Sequence, residues 1–257
     1  MKLLQMQTET LAQRLGQAPV ISTEVDDYKP FLAITQDANP IHTDEDYAKK
    51  TMFNGLVVPG LYLALAAEGF IPKGTAAMDM VFNKAVRPGD DIRFLEHDSN
   101  IEKKIVWYNA SGQEPEVVLE ARIRLNSPEQ NKRIDGSEEG VKKYEWKARK
   151  GDIESMMSMA GMIGEPDNAL NMHAAGYISP ALLMFAQEGV TGAYKRQNFT
   201  FHSRLYADEK FKVLARIARR KQQLVSFEYN LIGSDGRIVV AGNALVVETR
   251  HEGGHNC

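Results

Sequence analysis

The stretch "VVPGLYLALAAEGF", residues 57–70, is a proline followed by an almost unbroken run of apolar helix formers that stops at Glu68-Gly69. The same design returns as "YISPALLMFAQEGV", residues 177–190, with Pro180 lying 121 positions after Pro59. Proline suits the first helical position because its missing N–H would have no partner there, and a run that is apolar on every side predicts a helix buried all round. After each run come strand-like segments: "MDMVFNKAV", "DDIRFLE", "KKIVWYN" and "VVLEARIRL", then "NFTFHSRL", "FKVLARIA", "LVSFEYNL" and "RIVVAGNALVVE". In "VVLEARIRL", Val117, Leu119, Ala121, Ile123 and Leu125 alternate with mostly polar neighbours, the period of a half-buried strand. "NASGQ" and "GSDGR" supply hairpin turns.

Other landmarks keep nearly the same offset: Phe82 and Phe201 are 119 apart, Gly112 and Gly236 are 124 apart. The chain therefore reads as a duplicated unit, each copy one buried helix with an antiparallel sheet wrapped around it, an α+β arrangement made twice. Between the copies, residues 126–150 carry twelve charged side chains in twenty-five positions. That composition predicts a first unit over 1–127, a charged linker over 128–150 and a second unit over 151–257.

The 257 residues are 43% apolar and 25% charged with a formal net charge of −3, the balance of a globular protein with no polyanion-binding surface. No uncharged run reaches the length of a membrane span or a signal peptide, so the expected location is the cytoplasm or an organelle lumen. The single cysteine, Cys257, excludes an internal disulfide and a cysteine metal cluster.

Chemistry concentrates in "FLAITQDANPIHTDEDYAKKTMF", residues 31–53. Asp37 and His42 stand five positions apart around Pro40, whose fixed φ limits the freedom of the turn between them. If both face one cavity they can divide the work of a base and an acid through one water. Asn39 suits orienting the loop or the water through its amide. Pro59 has no N–H to offer, so the N–H groups of Gly60 and Leu61 at the helix start are the candidate donors to a developing oxyanion; for Gly60, simple helix–sheet packing is an equal reading. Taken alone, Asp37 and His42 would also suit a helix end with a satisfied histidine.

The segment resembles the signature of the MaoC-like dehydratases and (R)-specific, type-2 enoyl-CoA hydratases: Asp-x-Asn-Pro-aliphatic-His at Asp37, Asn39, Pro40, Ile41 and His42, then Asp44, Tyr47-Ala48 and Thr51 with Phe53. "VRPGDDI", residues 86–92, resembles the family's Pro-Gly-Asp turn, and "VVPGLY" its helix-opening segment. Two departures stand out. Thr35-Gln36 replaces the family's usual Ser-Gly, and Pro59 replaces a histidine before the helix glycine. The motif also lies in the first half here, whereas the two-unit eukaryotic enzymes carry it in the second.

The resemblance implies a double hot-dog fold and reversible hydration of trans-2-enoyl thioesters to (R)-3-hydroxyacyl thioesters. It assigns Asp37 and His42 to proton transfer, Gly60 and Leu61 to the thioester oxygen, and Asn39 and Pro40 to support. Thr51, Phe53 and Tyr62 would shape the substrate pocket. No metal or redox cofactor is implied; coenzyme A or an acyl carrier's pantetheine would arrive as part of the substrate, and a homodimer of the chain is possible. The alternatives are a hot-dog acyl-CoA thioesterase and a non-catalytic acyl-thioester-binding subunit.

The second half has no such motif: "MAGMIGEPDNALNMH", residues 159–173, stands where it would fall. Met156, Met157, Met159 and Met162 there suit either a flexible apolar wall or ordinary core filling. Arg216, Arg219, Arg220 and Lys221 read as a solvated face or as partners for the substrate's phosphates. His251 and His255 fall in a tail with no structure expected.

Overall fold

The computed structural model describes residues 10–72, 74–98, 102–125, 133–163, 171–188 and 192–248. In the first unit, helices α1 (Leu11–Gln17), α2 (Val25–Thr35), α3 (Glu45–Lys49) and α4 (Gly60–Ala66) accompany strands β1 (Val20–Ile21), β2 (Ala77–Phe82), β3 (Ile92–Asp98), β4 (Lys103–Asn109) and β5 (Glu116–Arg124). The second unit holds β6 (Lys142–Lys147), helices α5 (Lys150–Met159) and α6 (Asn171–Gly176), and strands β7 (Gly192–Phe201), β8 (Lys210–Lys221), β9 (Leu224–Gly233) and β10 (Ile238–Glu248).

All ten strands join one antiparallel sheet in the order β1-β3-β4-β5-β2-β7-β10-β9-β8-β6. Read outward from the β2–β7 seam, the two halves have the same connectivity. At the seam Asp79 pairs with Asn198, and their separation of 119 (198 − 79) is the offset between Phe82 and Phe201. The duplication seen in the sequence is therefore a near-twofold relation about that residue pair.

The sheet curls around α4, in which Leu61 to Leu65 are all buried. Trp107 of β4, fully buried, donates its indole N–H to the Leu63 carbonyl at 3.0 Å and so ties sheet to helix. One continuous cluster of buried side chains runs from Phe31, Leu65 and Trp107 in the first unit to Phe185, Phe199 and Phe227 in the second, so the halves share a core. The outer face of the sheet carries smaller clusters, Leu15 of α1 over Val106 and Tyr108, and Ile134 over Leu214 and Ile232.

Two expectations need correction. The apolar runs at 57–70 and 177–190 predicted one buried helix in each unit, but α4 has only seven residues and its counterpart, Ser179–Glu188, is a 3-10 run. Ala181, Leu182 and Phe185 of that run are buried while Ala186 is exposed, and Leu182 and Leu183 line a cavity. The stretch 128–150 is not all linker: β6 within it pairs with β8, placing Tyr144 and Trp146 against the core and the intervening charges outward. Period-two alternation hidden under a high charge count produces that edge strand. Of the two readings open for the methionines, core filling holds for Met156 and Met157, which are buried, and for Met159, packed beside them, while Met162 is half-buried outside that cluster.

Two ionisable groups are buried at or within α6. Glu68 accepts from the N–H of Asn171 (3.0 Å) and of Met172 (2.8 Å), the first turn of α6. Burial raises its carboxyl from 4.5 to about 7 against the pull of those donors. His173, with Nε2 3.0 Å from the Tyr177 hydroxyl, is lowered by burial from 6.5 to about 3.

The signs oppose. Folded Glu68 holds a proton the unfolded chain has lost, so its contribution falls as pH rises from 4.5 to 7; unfolded His173 takes up a proton the fold refuses, so its contribution falls as pH drops from 6.5 toward 3. Between 4.5 and 6.5 the two slopes cancel. Replacing Glu68 by Gln should remove one slope, leaving urea-unfolding stability to fall by about 1.4 kcal/mol for each pH unit below 6.5. A flat profile in that variant would contradict the pairing.

Candidate active site

Helix α2 ends at Gln36, which adopts the left-handed conformation with φ 59° while the N–H of Asp37 returns to the Leu32 carbonyl at 3.1 Å. This sharp reversal swings Asp37 inward. It also explains why glycine suits the position, since a side chain there costs about 1 kcal/mol or more.

Asp37 Oδ1 accepts the N–H of Asn39 at 3.1 Å, closing a turn within the motif. Asn39 then caps the short 3-10 helix Pro40–His42, its Oδ1 accepting from Ile41 N–H at 3.3 Å. Its Nδ2 donates to the carbonyl of Gly192 at 3.1 Å, at the start of β7. Both ends of the amide are thus spent on holding the loop, and one of them is anchored in the other unit.

His42 is buried, with Nδ1 2.6 Å from the Val57 carbonyl. A carbonyl can only accept, so Nδ1 carries the proton, and in the neutral ring Nε2 is left as the lone-pair nitrogen. The backbone around it is doubly fixed: Val57 N–H bonds the Ile41 carbonyl at 3.0 Å, and the buried Tyr28 hydroxyl donates to the His42 carbonyl at 3.0 Å.

Asp37, Asn39 and His42 line one cavity of about 200 Å³, together with Phe53, Gly60 and Leu61. The second unit supplies part of its wall: Ser179, Leu182, Tyr194 and Gln197. Ser179 donates its hydroxyl to Asp37 Oδ2 at 2.5 Å, and Tyr194 donates to the Ser179 carbonyl at 3.0 Å. Burial and the nearby Asp37 charge push the Tyr194 phenol far above its ordinary range, so it stays a donor. Two donors from opposite units of the fold therefore fix the Asp37 carboxyl.

Within α4 the first intrahelical bond runs from Tyr62 N–H to the Pro59 carbonyl at 3.1 Å, so the N–H groups of Gly60 and Leu61 precede the bonded turn at the cavity wall. A Cβ on Gly60 would come within 2.2 Å of the Phe82 ring, so helix–sheet packing by itself already requires glycine there.

Two pocket assignments are overturned. Thr51 spends its hydroxyl on the Ala48 carbonyl at 2.7 Å and accepts from Phe53 N–H, ending α3, and does not line the cavity. Tyr62 lies two residues past Gly60, on the far side of the helix, where its hydroxyl donates to the Ser22 carbonyl at 3.0 Å and its ring packs with Tyr28 and Phe31. Asp44 caps α3, accepting from Tyr47 N–H at 2.9 Å.

The basic group on β8 is elsewhere engaged. Arg216 pairs with Glu138 and Glu228, Arg220 with Glu248, and none of Arg216, Arg219, Arg220 or Lys221 lines the cavity; the cations that do are Lys84, paired with Glu116, and Lys195, whose Nζ donates to the Phe82 carbonyl at 3.1 Å. His251 and His255 lie outside the described residues.

Ser179, Tyr194 and Gln197 were missed in the sequence. For two of them a signal was available: with the 121 offset Ser179 stands where the first unit has Val58, and with the 119 offset Gln197 stands where it has Met78. A polar residue replacing an apolar one between matched repeats marks a position freed from core duty.

The class that fold and site define is a double hot-dog protein with a carboxylate–imidazole pair in a cavity between its units. Residues 7–111, most of the first unit, match the family model of the MaoC like domain. No curated protein matches the chain by sequence.

Solved structures match along almost the whole chain. A protein of Chloroflexus aurantiacus described as a MaoC domain dehydratase aligns with TM-score 0.61 at 10% identity, covering 97% of this chain and 99% of that one. A conserved hypothetical protein of Mycobacterium tuberculosis, described as having a double hotdog fold, aligns with TM-score 0.62 at 10% identity over 90% and 94%. One of Novosphingobium aromaticivorans described as a thioesterase reaches TM-score 0.50 at 10% identity over 75% and 88%. At such identities the likeness is one of fold, and the fold alone does not choose the reaction.

Proposed function

We propose that the chain is a hydro-lyase that adds water reversibly to a trans-2-enoyl thioester, giving the (R)-3-hydroxyacyl thioester. The observation that carries this reading is the convergence of Asp37 and His42 on one largely apolar cavity, with the His42 tautomer set by the Val57 carbonyl.

A water held between His42 Nε2 and the Asp37 carboxylate would lose a proton to this pair as its oxygen bonds to C3. The pair then returns a proton to C2, so neither residue is consumed. Charge that develops on the thioester oxygen meets the N–H groups of Gly60 and Leu61. Ser179 and Asn39 act by holding Asp37 and the loop still. The chain needs no metal in this scheme. Coenzyme A or a carrier's pantetheine enters with the substrate, its phosphates toward Lys84 and Lys195.

The test is incubation with crotonyl-CoA and longer 2-enoyl-CoA thioesters, following the conjugated enoyl absorbance beside free thiol. Loss of absorbance without thiol supports hydration. Thiol release would instead assign thioester hydrolysis, with Asp37 activating water against the carbonyl carbon. No change with any chain length would overturn the enzyme reading.

A further inference from the structure

Gln197 is wholly buried on β7 and lines the cavity that holds Asp37 and His42. Among the described residues neither its Nε2 nor its Oε1 has a hydrogen-bond partner. Its neighbours across the sheet offer none: Met80 stands opposite on β2 and Ala244 on β10. At the equivalent place in the first unit, 119 residues earlier, the chain has Met78, also fully buried. A methionine therefore satisfies the same backbone environment, and the amide is not demanded by the fold.

The strand is also re-aimed at this point. Leu245 pairs with Arg196 and Val246 with Tyr194, leaving Lys195 as an extra residue in β7. Such a bulge shifts the alternation by one, which lets Tyr194 and Gln197 both face the cavity although three positions apart. Tyr194 is already committed to the Ser179 carbonyl. Gln197 is left with an unused donor and acceptor in a cavity whose lining also includes Leu63, Leu119 and Leu182, the apolar wall an acyl chain would follow. Burying an amide unpaired lowers stability, so its presence here calls for a ligand group that both donates and accepts.

We propose that Gln197 is a specificity residue that receives a hydroxyl carried on the acyl chain, beyond the carbons that react. The hydroxyl donates to Oε1 and accepts from Nε2–H, and the preferred substrate is a hydroxylated enoyl thioester rather than a plain alkyl one. This rests on reading the cavity as an enoyl-thioester site.

The test compares trans-2-octenoyl-CoA with its forms bearing one hydroxyl at successive carbons of the distal chain, using the full chain and its Gln197→Met variant. In wild type one hydroxylated isomer should exceed the plain substrate by about 10²-fold in kcat/KM. Gln197→Met should bring that ratio to about one and raise Tm, because two unpaired buried polar atoms are gone. A wild type without preference, a variant that loses turnover on both substrates alike, or a lowered Tm would each overturn the proposal. Calorimetric binding of octanoyl-CoA and its hydroxylated forms, which cannot be hydrated, separates the two readings. Selective binding without turnover of any enoyl thioester keeps Gln197 and removes hydration; turnover without selectivity does the reverse.

Discussion

If the proposed hydration holds, Asp37→Asn should lower kcat for it by about 10²–10⁴, and His42→Ala should do the same, with KM changed far less. The asparagine keeps the size of the side chain and an oxygen to accept from Asn39 N–H, so the turn that presents it survives. What it loses is the capacity to exchange a proton. His42→Ala removes the only imidazole among the residues lining the cavity, and it frees the Val57 carbonyl, so circular dichroism should accompany the kinetics. Residues that act as one unit are not additive, and the double variant should be no slower than the slower single one. Near-normal turnover in both single variants would leave the fold intact and remove the proposed chemistry.

Trp107→Ala has the largest expected effect on stability. The indole is fully buried against Phe94, their ring centroids 6.1 Å apart, and its N–H satisfies the Leu63 carbonyl inside α4. Truncating a tryptophan in a packed core costs about 3–5 kcal/mol, and the stranded carbonyl adds about 1–3 kcal/mol. Against a usual total of about 5–15 kcal/mol this should bring the chain close to unfolding at 37 °C. Urea denaturation measures it, with Trp107→Phe expected to keep much of the packing and lose the hydrogen bond. A cost below about 1 kcal/mol would show that α4 is not held by the sheet as described. Leu63 also lines the cavity, so turnover should fall with stability.

These two residues differ in how visible they were beforehand. Asp37, Asn39, Pro40 and His42 were legible because the chemistry and the turn lie within six consecutive residues, where local geometry decides what faces what. The duplication was legible too, through Pro59 and Pro180 and the alternation in β5. Trp107 was one apolar position among many, since nothing local says which strand residue meets the carbonyl of a helix residue 44 positions away.

Thr51 and Tyr62 were misplaced for a related reason. The resemblance carried both to the pocket, whereas the hydroxyl of Thr51 ends α3 and the rotation along α4 carries Tyr62 to the opposite side. Ser179 and Gln197 lie more than 140 residues from Asp37, and only the curled ten-stranded sheet brings them to the same cavity. The bulge at Lys195 had no sequence signature of its own, yet it decides which side chains of β7 face inward. Glu68 was read as the end of an apolar run; its role at the first turn of α6 depends on a contact 103 residues away.

The central claim is that each chain holds a single acid/base site, built on the first unit and closed by Ser179, Tyr194 and Gln197 of the second. Calorimetric titration of the purified chain with a non-hydratable thioether analogue of an enoyl-CoA tests it most directly. One bound analogue per chain, with binding weakened by substitutions at Ser179 as well as at His42, is the predicted result. Two equivalent sites per chain, or binding indifferent to Ser179, would contradict it.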